Sequence, residues 1–80
     1  MKALVLCGGV PQIALIKELK SRGIETILAD MNENVGARPY ADKFYKVSVL
    51  DIEAVKQVAI DEKVDFLITS EVNYHLTVFI

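Results

Sequence analysis

The sequence has few of the residues that mark specialised protein classes. Its one cysteine, Cys7, excludes an internal disulfide and with it a disulfide-stabilised extracellular scaffold. Four glycines and two prolines in 80 residues are too few for a collagen-like or low-complexity chain. Every apolar run is shorter than the roughly 18 residues that a membrane-spanning helix needs. These absences predict a protein of a reducing compartment, the cytoplasm, with no membrane partner.

An excess of charge of one sign is also missing. Nine basic residues stand against 11 acidic ones, which gives a net charge of −2. The basic residues are scattered along the chain, so no electrostatic footprint for DNA or RNA is expected. The single histidine, His75, has no cysteine or second histidine at the spacing of a metal site. The sequence therefore predicts neither a nucleic-acid partner nor a bound metal.

The abundant feature is apolar sequence, arranged as alternating strands and helices. Hydrophobic residues make up 52% of a chain whose length allows one small domain. Nearly unbroken apolar runs are typical of strands covered on both faces. They predict strands at residues 2–7, 24–29, 44–49 and 65–69. Apolar positions three and four residues apart predict helices at 11–22 and at 51 to about 62.

Local signals mark the ends of both helices. Pro11 suits the first turn of the first helix, and Gly23 suits the position just after its end. Asp51 is the predicted N-cap of the second helix, with Leu50 and Val55 at the positions of a hydrophobic staple. The residues of the second helix expected to face inward are Ile52, Val55, Val58 and Ala59.

The order β-α-β-loop-β-α-β predicts the fold class, which is α/β. Right-handed crossovers place one helix on each face of a parallel sheet with strand order 3-2-1-4. This is a three-layer Rossmann-like half-domain, the first half of a doubly wound sheet. It occupies residues 1–73, and residues 74–80 form an apolar tail whose structure the pattern leaves open. Two helices cover four buried strands incompletely, so we expect a half-domain or part of a longer protein.

The tail at residues 76–80 has the β-branched and aromatic content of a strand. It can return antiparallel to strand four of its own chain, or cross to a second chain and form a two-fold dimer. Residues 70–75 are too few for a parallel crossover. Of the two arrangements we favour the exchange, so a homodimer through the tail is the expected association.

The position of a ligand site follows from the topology. Ligands of open parallel sheets bind at the carboxyl ends of the strands, where the strand order reverses. That point brings together the segments 8–12 and 70–73. Gly8 and Gly9 let the backbone turn sharply beside a helix N-terminus that attracts anions. A tight strand-to-helix turn also explains both glycines, and we expect Gly8 or Gly9 to have a positive φ or a close backbone contact. Cys7 is expected to be buried and inert.

A dinucleotide site is one interpretation of this turn. Asp30 lies about 20 residues beyond the glycines, where such sites carry a ribose ligand. The G-x-G-x-x-G fingerprint is absent, however, because the two glycines are adjacent and Ile13 stands where the third glycine would fall. Pro11 also removes one N–H from the cradle.

Several segments occur in a fixed order along the chain. They are ALVLCGGVPQ at 3–12, LKSRGIETILADMN at 19–32, RPYADKFYKV at 38–47, LDIEAV at 50–55 and VDFLITSE at 64–71. Together they resemble the N-terminal pre-ATP-grasp domain of ATP-grasp ligases, a family that includes carbamoyl-phosphate synthase large-subunit-like proteins, biotin carboxylase and purine-pathway ligases. The resemblance ends near residue 73, because the family continues there with a helix.

The resemblance implies that the parent is a ligase that uses ATP and Mg²⁺ to convert a carboxylate into an acyl phosphate, which an amine or similar nucleophile attacks. The pre-ATP-grasp domain forms the acceptor-substrate side of such a site. The residues matched to it as binders of a small-molecule substrate are Gly8, Gly9, Gln12 and Glu71. The chain shows no lid loop, nucleotide-clamping lysine or metal-binding Glu/Asn pair. It is therefore expected to be a fragment that ends before the ATP-grasp region, without catalytic residues or a cofactor of its own. The alternatives are a stand-alone Rossmann-like module that binds a nucleotide or small anion, and a non-catalytic association module.

Overall fold

The chain folds into a twisted sheet with one helix on each face. The computed structural model describes residues 1–70 and 76–79. The strands are β1 (Lys2–Leu6), β2 (Glu25–Asp30), β3 (Lys43–Lys46), β4 (Phe66–Ser70) and β5 (Leu76–Phe79). The helices are α1 (Pro11–Ser21) and α2 (Ile52–Glu62), with a 3-10 turn at Arg38–Tyr40. In the described ranges no helix is long and apolar enough to cross a membrane.

The sheet has the order β3-β2-β1-β4-β5. Its first four strands are parallel, which confirms the predicted order 3-2-1-4. Leu4 at the centre of β1 pairs with Ile27 of β2 on one side and Leu67 of β4 on the other. The order reverses between β1 and β4, so the carboxyl ends of these strands form the predicted crevice.

Strand β5 differs from the arrangement favoured from the sequence. It runs antiparallel to β4 of its own chain, with Thr69 opposite Thr77 and Ser70 opposite Leu76. This is the antiparallel return within one chain that the sequence left open. An antiparallel neighbour needs only a short connection, so residues 71–75 suffice where a parallel crossover would not. Association of two chains through β5 stays a prediction.

Side chains of successive strand residues enter different cores. Ala3 and Val5 of β1 pack with α1 residues such as Ile16 in one core. Leu4, between them, packs in a second core against Val55 and Val58 of α2. Because both faces are covered, the strand needs apolar residues at every position, which explains its unbroken apolar run.

Helix α1 ends as its sequence predicts. Gly23 adopts the left-handed conformation with φ of 76°. Its N–H donates to the Lys20 carbonyl at 3.0 Å, and the Ile24 N–H donates to the Leu19 carbonyl at 3.0 Å. These two bonds form a Schellman motif, which satisfies the last carbonyls of the helix.

The start of helix α2 is predicted only in part. Asp51 is the N-cap, as expected, and its Oδ1 accepts the Ala54 N–H at 3.1 Å. The predicted staple is wrong, because Leu50 is 87% exposed, and Ile52, expected to face inward, is 74% exposed. A tight turn precedes the helix, in which the Leu50 N–H donates to Ser48 Oγ and the Asp51 N–H to the Ser48 carbonyl. This turn directs the Leu50 side chain away from the helix.

Candidate functional site

The turn between β1 and α1 changes direction one residue earlier than the glycines suggest. Cys7, and neither Gly8 nor Gly9, has the left-handed conformation, with φ of 72°. The expectation of a positive φ at the glycines is therefore wrong. Because this residue reverses the chain directly after β1, its side chain leaves the sheet and Cys7 is exposed rather than buried as predicted. A non-glycine residue in this conformation costs about 1–2 kcal/mol, so the surrounding contacts must hold it.

Gly8 is required by packing. A Cβ atom built at this buried position would lie 2.4 Å from Val35 Cγ2 and 3.0 Å from Leu28 Cδ2. The carbonyl of Gly8 accepts the Ala37 N–H at 3.0 Å. The glycine thus lets the loop that follows β2 lie directly against the turn.

Gly9 is open. A Cβ atom there would meet only Pro11 Cδ, at an ordinary distance of 3.6 Å. The carbonyl of Gly9 accepts the Gln12 N–H at 2.9 Å, which starts the helix. Within the part of the chain that the structure describes, the N–H groups of Gly9 and Val10 donate no hydrogen bond. They lie beside the N-terminus of α1 and can donate to a ligand.

Gln12 connects the first turn of α1 to the end of β1. It is 3% exposed, and its Nε2 donates to the Leu6 carbonyl at 3.3 Å. The structure therefore brings Gly8, Gly9 and Gln12 together, as the sequence predicted. Glu71, the fourth predicted binding residue, lies outside the described residues, as does His75.

Asp30 at the end of β2 contacts the same turn. Its Oδ2 accepts the Gly8 N–H at 2.7 Å, and its Oδ1 accepts the Asn32 N–H at 2.8 Å. The spacing in the sequence suggested Asp30 as a ribose ligand of a dinucleotide site. Its contacts instead join the glycine turn to the loop after β2. The sequence does show an aspartate directly after the buried part of a strand, which is the one signal for this contact. It does not identify the partner, because Gly8 lies 22 residues away in sequence.

The thiol of Cys7 is a poor nucleophile in this setting. Partial desolvation by the turn raises the pKa of Cys7, and the negative charge of Asp30 raises it further. The thiolate is the reactive form of cysteine. The expectation that Cys7 is inert thus agrees with its electrostatics, although the residue is exposed.

The loop at residues 31–42 lies beside the turn and is held there by side-chain contacts. The Arg38 guanidinium lies 4.4 Å from the centre of the Phe44 ring, and its Nη1 donates to the Glu33 carbonyl at 2.6 Å. The Lys17 ammonium lies 4.9 Å from the centre of the Tyr40 ring and connects the loop to α1. Cation–π contacts of this kind stabilise a loop without a core of its own.

The opposite, amino edge of the sheet carries a second set of polar contacts. Asp42 accepts the Thr26 N–H at 2.8 Å and lies 3.4 Å from Lys20 Nζ. The backbone hydrogen bond from Thr26 and the charge of Lys20 hold the pKa of Asp42 below its usual value. A cleft of about 350 Å³ opens here, lined by Lys20, Gly23, Ile24, Glu25 and Asp42. It lies at the other end of the sheet from the glycine turn.

A charged cluster around Glu62 also belongs to the amino edge. Glu62 accepts hydrogen bonds from the Tyr45 hydroxyl and, at 3.0 Å, from Lys43 Nζ, and it lies 3.6 Å from Lys2 Nζ. The hydrogen bonds from Tyr45 and Lys43 lower the pKa of Glu62, and Glu62 in turn raises the pKa values of both partners. The cluster joins α2 to β1 and β3. Across residues 1–70 and 76–79 there is no group of three or more metal-ligating side chains.

Comparisons with known proteins agree on one kind of relative. No protein-family model matches the chain. The chain is 40% identical over 67 residues to the formate-dependent phosphoribosylglycinamide formyltransferase of Proteus mirabilis. It is 34% identical to the enzyme of the same name from Actinobacillus pleuropneumoniae serotype 3 and 33% identical to that of Haemophilus ducreyi, again over 67 residues. These alignments cover 84% of this chain and 17% of each relative, so the chain spans about a sixth of their length.

A solved structure shows the same fold. Glycinamide-RNase-transformylase T from Mycobacterium tuberculosis superposes with a TM-score of 0.81 at 27% sequence identity. The match covers 89% of this chain and 20% of the solved one. Both comparisons lead to the family whose segments the sequence resembles. With its strand order and its glycine turn in place, the chain is a pre-ATP-grasp domain of an ATP-grasp enzyme.

Proposed function

We propose that this domain forms the acceptor-substrate side of an ATP-dependent ligase-like enzyme whose acceptor is phosphoribosylglycinamide. The proposal is supported by the relatives, which are named as formate-dependent phosphoribosylglycinamide formyltransferases. It is supported further by the glycine turn at the carboxyl edge of the sheet, where open α/β sheets bind ligands. The observation that carries it is the open space at Gly9, beside two N–H groups without a partner in the described residues.

The turn is suited to an oxygen-rich group of the substrate. The N–H groups of Gly9 and Val10 have no partner within the described residues, and the N-terminus of α1 adds a partial positive charge beside them. Gln12 and Glu71 complete the proposed set of substrate-binding residues. The role of these residues is to bind and orient the acceptor, since the two main-chain N–H groups and the Gln12 amide are hydrogen-bonding groups rather than nucleophiles.

ATP and Mg²⁺ are assigned to the rest of the parent enzyme. In ATP-grasp chemistry they activate a carboxylate as an acyl phosphate. The described residues contain no cluster of three or more metal-ligating side chains that would hold Mg²⁺. Lys20 and Lys43 are held by acidic partners at the amino edge, away from the turn. We therefore place the cation clamp around the triphosphate in the rest of the parent enzyme.

Calorimetry with the chain tests this proposal. Phosphoribosylglycinamide is expected to bind weakly, with a Kd of about 1 mM or somewhat below, because the domain supplies one wall of the site. Gly9→Asp places a carboxylate in the opening and is expected to abolish the signal. Lys56→Gln, which makes the same change in net charge on the exposed face of α2, is the matched control and should leave binding unchanged. No heat with the wild-type chain, or equal binding by the Gly9→Asp variant, would contradict the proposal.

A further inference from the structure

We propose that Asp30 is a positioning residue of the site: its carboxylate holds the glycine turn in the conformation that presents the Gly9 and Val10 N–H groups. This inference rests on the proposed function, because it concerns the same site. It assigns to Asp30 a role different from the sugar-binding role that an aspartate at the end of β2 has in dinucleotide-binding sheets.

The geometry places one carboxylate between two loops. Asp30 ends β2 directly beside β1, where Leu6 pairs with Ala29. One carboxylate oxygen accepts the Gly8 N–H at 2.7 Å, and the other accepts the Asn32 N–H at 2.8 Å. Hydrogen bonds to an ionised acceptor are about twice as strong as neutral ones. A single side chain therefore fixes the entry to both loops at the carboxyl edge.

The turn needs such a fixed point because its backbone is strained. Cys7 occupies the left-handed region with φ of 72°, which a residue with a Cβ adopts at a cost. Two bonds flank it: the Cys7 N–H donates to the Ala29 carbonyl at 2.9 Å, and the next N–H donates to Asp30. Without the second bond, the turn loses one of the contacts that hold Cys7 in this conformation, and only the bond of the Cys7 N–H and the bond between the Gly8 carbonyl and the Ala37 N–H remain on either side. A change of conformation at Cys7 would also change the direction of the N–H groups that follow.

The same contacts determine which N–H groups remain for a ligand. Since Asp30 accepts the Gly8 N–H, that donor is already satisfied by an anion of the chain itself. A substrate oxygen must use the next donors, which are those of Gly9 and Val10. Both carboxylate oxygens of Asp30 are directed at main-chain N–H groups. Each oxygen thus holds a main-chain N–H, which gives Asp30 a structural role in this turn that needs no ribose.

The variant that tests the role is Asp30→Asn. Asparagine keeps the size of the side chain but must present an NH₂ group to either Gly8 or Asn32, where an acceptor is needed. Asp42→Asn is the matched control, because Asp42 also accepts a main-chain N–H, that of Thr26, but at the opposite edge of the sheet. Both variants are expected to lower the melting temperature. Only Asp30→Asn is expected to weaken phosphoribosylglycinamide binding, by tenfold or more, with Asp42→Asn within twofold of the wild type.

Two readouts report on the turn itself. The ¹H shift of the Gly8 amide is expected to move upfield in Asp30→Asn, because the charge-assisted bond is lost, and to stay unchanged in Asp42→Asn. The alkylation rate of Cys7 as a function of pH is expected to show a lower thiol pKa in Asp30→Asn, because a neighbouring negative charge is removed. A folded Asp30→Asn variant with wild-type affinity, or with unchanged Gly8 and Cys7 signals, would overturn the inference.

If the proposed function is wrong, the binding, Gly8 and Cys7 measurements give a different combination of results. If the wild-type chain binds no phosphoribosylglycinamide, the substrate assignment is wrong, and the Gly8 and Cys7 readouts alone decide the role of Asp30. Altered Gly8 and Cys7 signals together with displaced amide resonances of Gly9 and Val10 would support a positioning role for another ligand. Unaltered signals would overturn it.

Discussion

A Cβ atom on Gly8 would lie 2.4 Å from Cγ2 of Val35, so the glycine turn and the loop after β2 are in contact with no space for a methyl group between them. Gly8→Ala is expected to destabilise the fold by about 1–3 kcal/mol, the usual cost of overpacking. Gly9→Ala should change the unfolding free energy by less than about 0.5 kcal/mol, because the position is open and its φ is not left-handed. Urea unfolding of the two variants measures the difference.

A second substitution identifies the cause of the Gly8 effect. Val35→Ala removes the methyl group that the new Cβ would meet, so Val35→Ala combined with Gly8→Ala should recover part of the lost stability. A double variant that is destabilised by the full sum of both single changes would contradict the packing explanation.

Much of the fold could be predicted because it follows from local rules. The apolar run of β1 predicts a doubly covered strand, and Gly23 predicts the end of α1; both are present. The left-handed conformation at Cys7 was not predicted, because two glycines follow it directly and glycine is the residue that usually adopts this conformation. The exposure of Leu50 was missed because a staple depends on the entry angle of the chain, which the sequence does not specify.

The candidate site could be located but not described from the sequence. Topology alone places Gly8, Gly9 and Gln12 at the carboxyl edge, and the structure confirms that they lie together. The hydrogen bond from Gly8 to Asp30 spans 22 residues, and no local pattern reports such a contact. The interpretation of Asp30 as a ribose ligand came only from its distance in sequence from the glycines. That distance is the same whether Asp30 binds a ribose or accepts the Gly8 N–H.

Acid is expected to weaken the contact of Asp42 with Thr26. The pKa of Asp42 is lowered in the folded state, so its stabilising contribution is fully present above the unfolded-state pKa and is lost as the pH falls through the lower folded-state pKa. Asp42→Asn should therefore destabilise the chain more at pH 7 than at pH 3. Urea unfolding of both proteins at the two pH values is the measurement. An equal difference at both pH values would show that the charge of Asp42 is not what stabilises the contact.

The chain alone is expected neither to hydrolyse ATP nor to bind it tightly. Phosphoryl transfer needs a cation clamp and Mg²⁺ ligands around the γ-phosphate, and the described residues contain no cluster of three or more metal-ligating side chains. Calorimetry with ATP and Mg²⁺ should show no binding in the micromolar range. Micromolar binding would favour the alternative of a stand-alone nucleotide-binding module.

Two chains are expected to associate through the outer edge of β5. The strand sequence LTVF carries no charge, whereas β3 at the other edge of the sheet has Lys43 and Lys46 at its ends. Lysines protect an edge from pairing, and an uncharged edge lacks that protection. Light scattering is expected to show a dimer that Thr77→Lys disrupts, with Lys56→Gln as a control that leaves it intact. A monomer at high micromolar concentration for the unsubstituted chain would contradict this association.

The most direct test of the substrate-side assignment is an amide spectrum of the chain during titration with phosphoribosylglycinamide. The signals of Gly8, Gly9 and Gln12 at the carboxyl edge are expected to shift together in proportion to occupancy. Gly23, which lines the cleft at the amino edge, is expected to stay in place and serves as the internal control. Shifts at Gly23 and Lys20 with none at the glycine turn, or no shifts at all, would contradict the account.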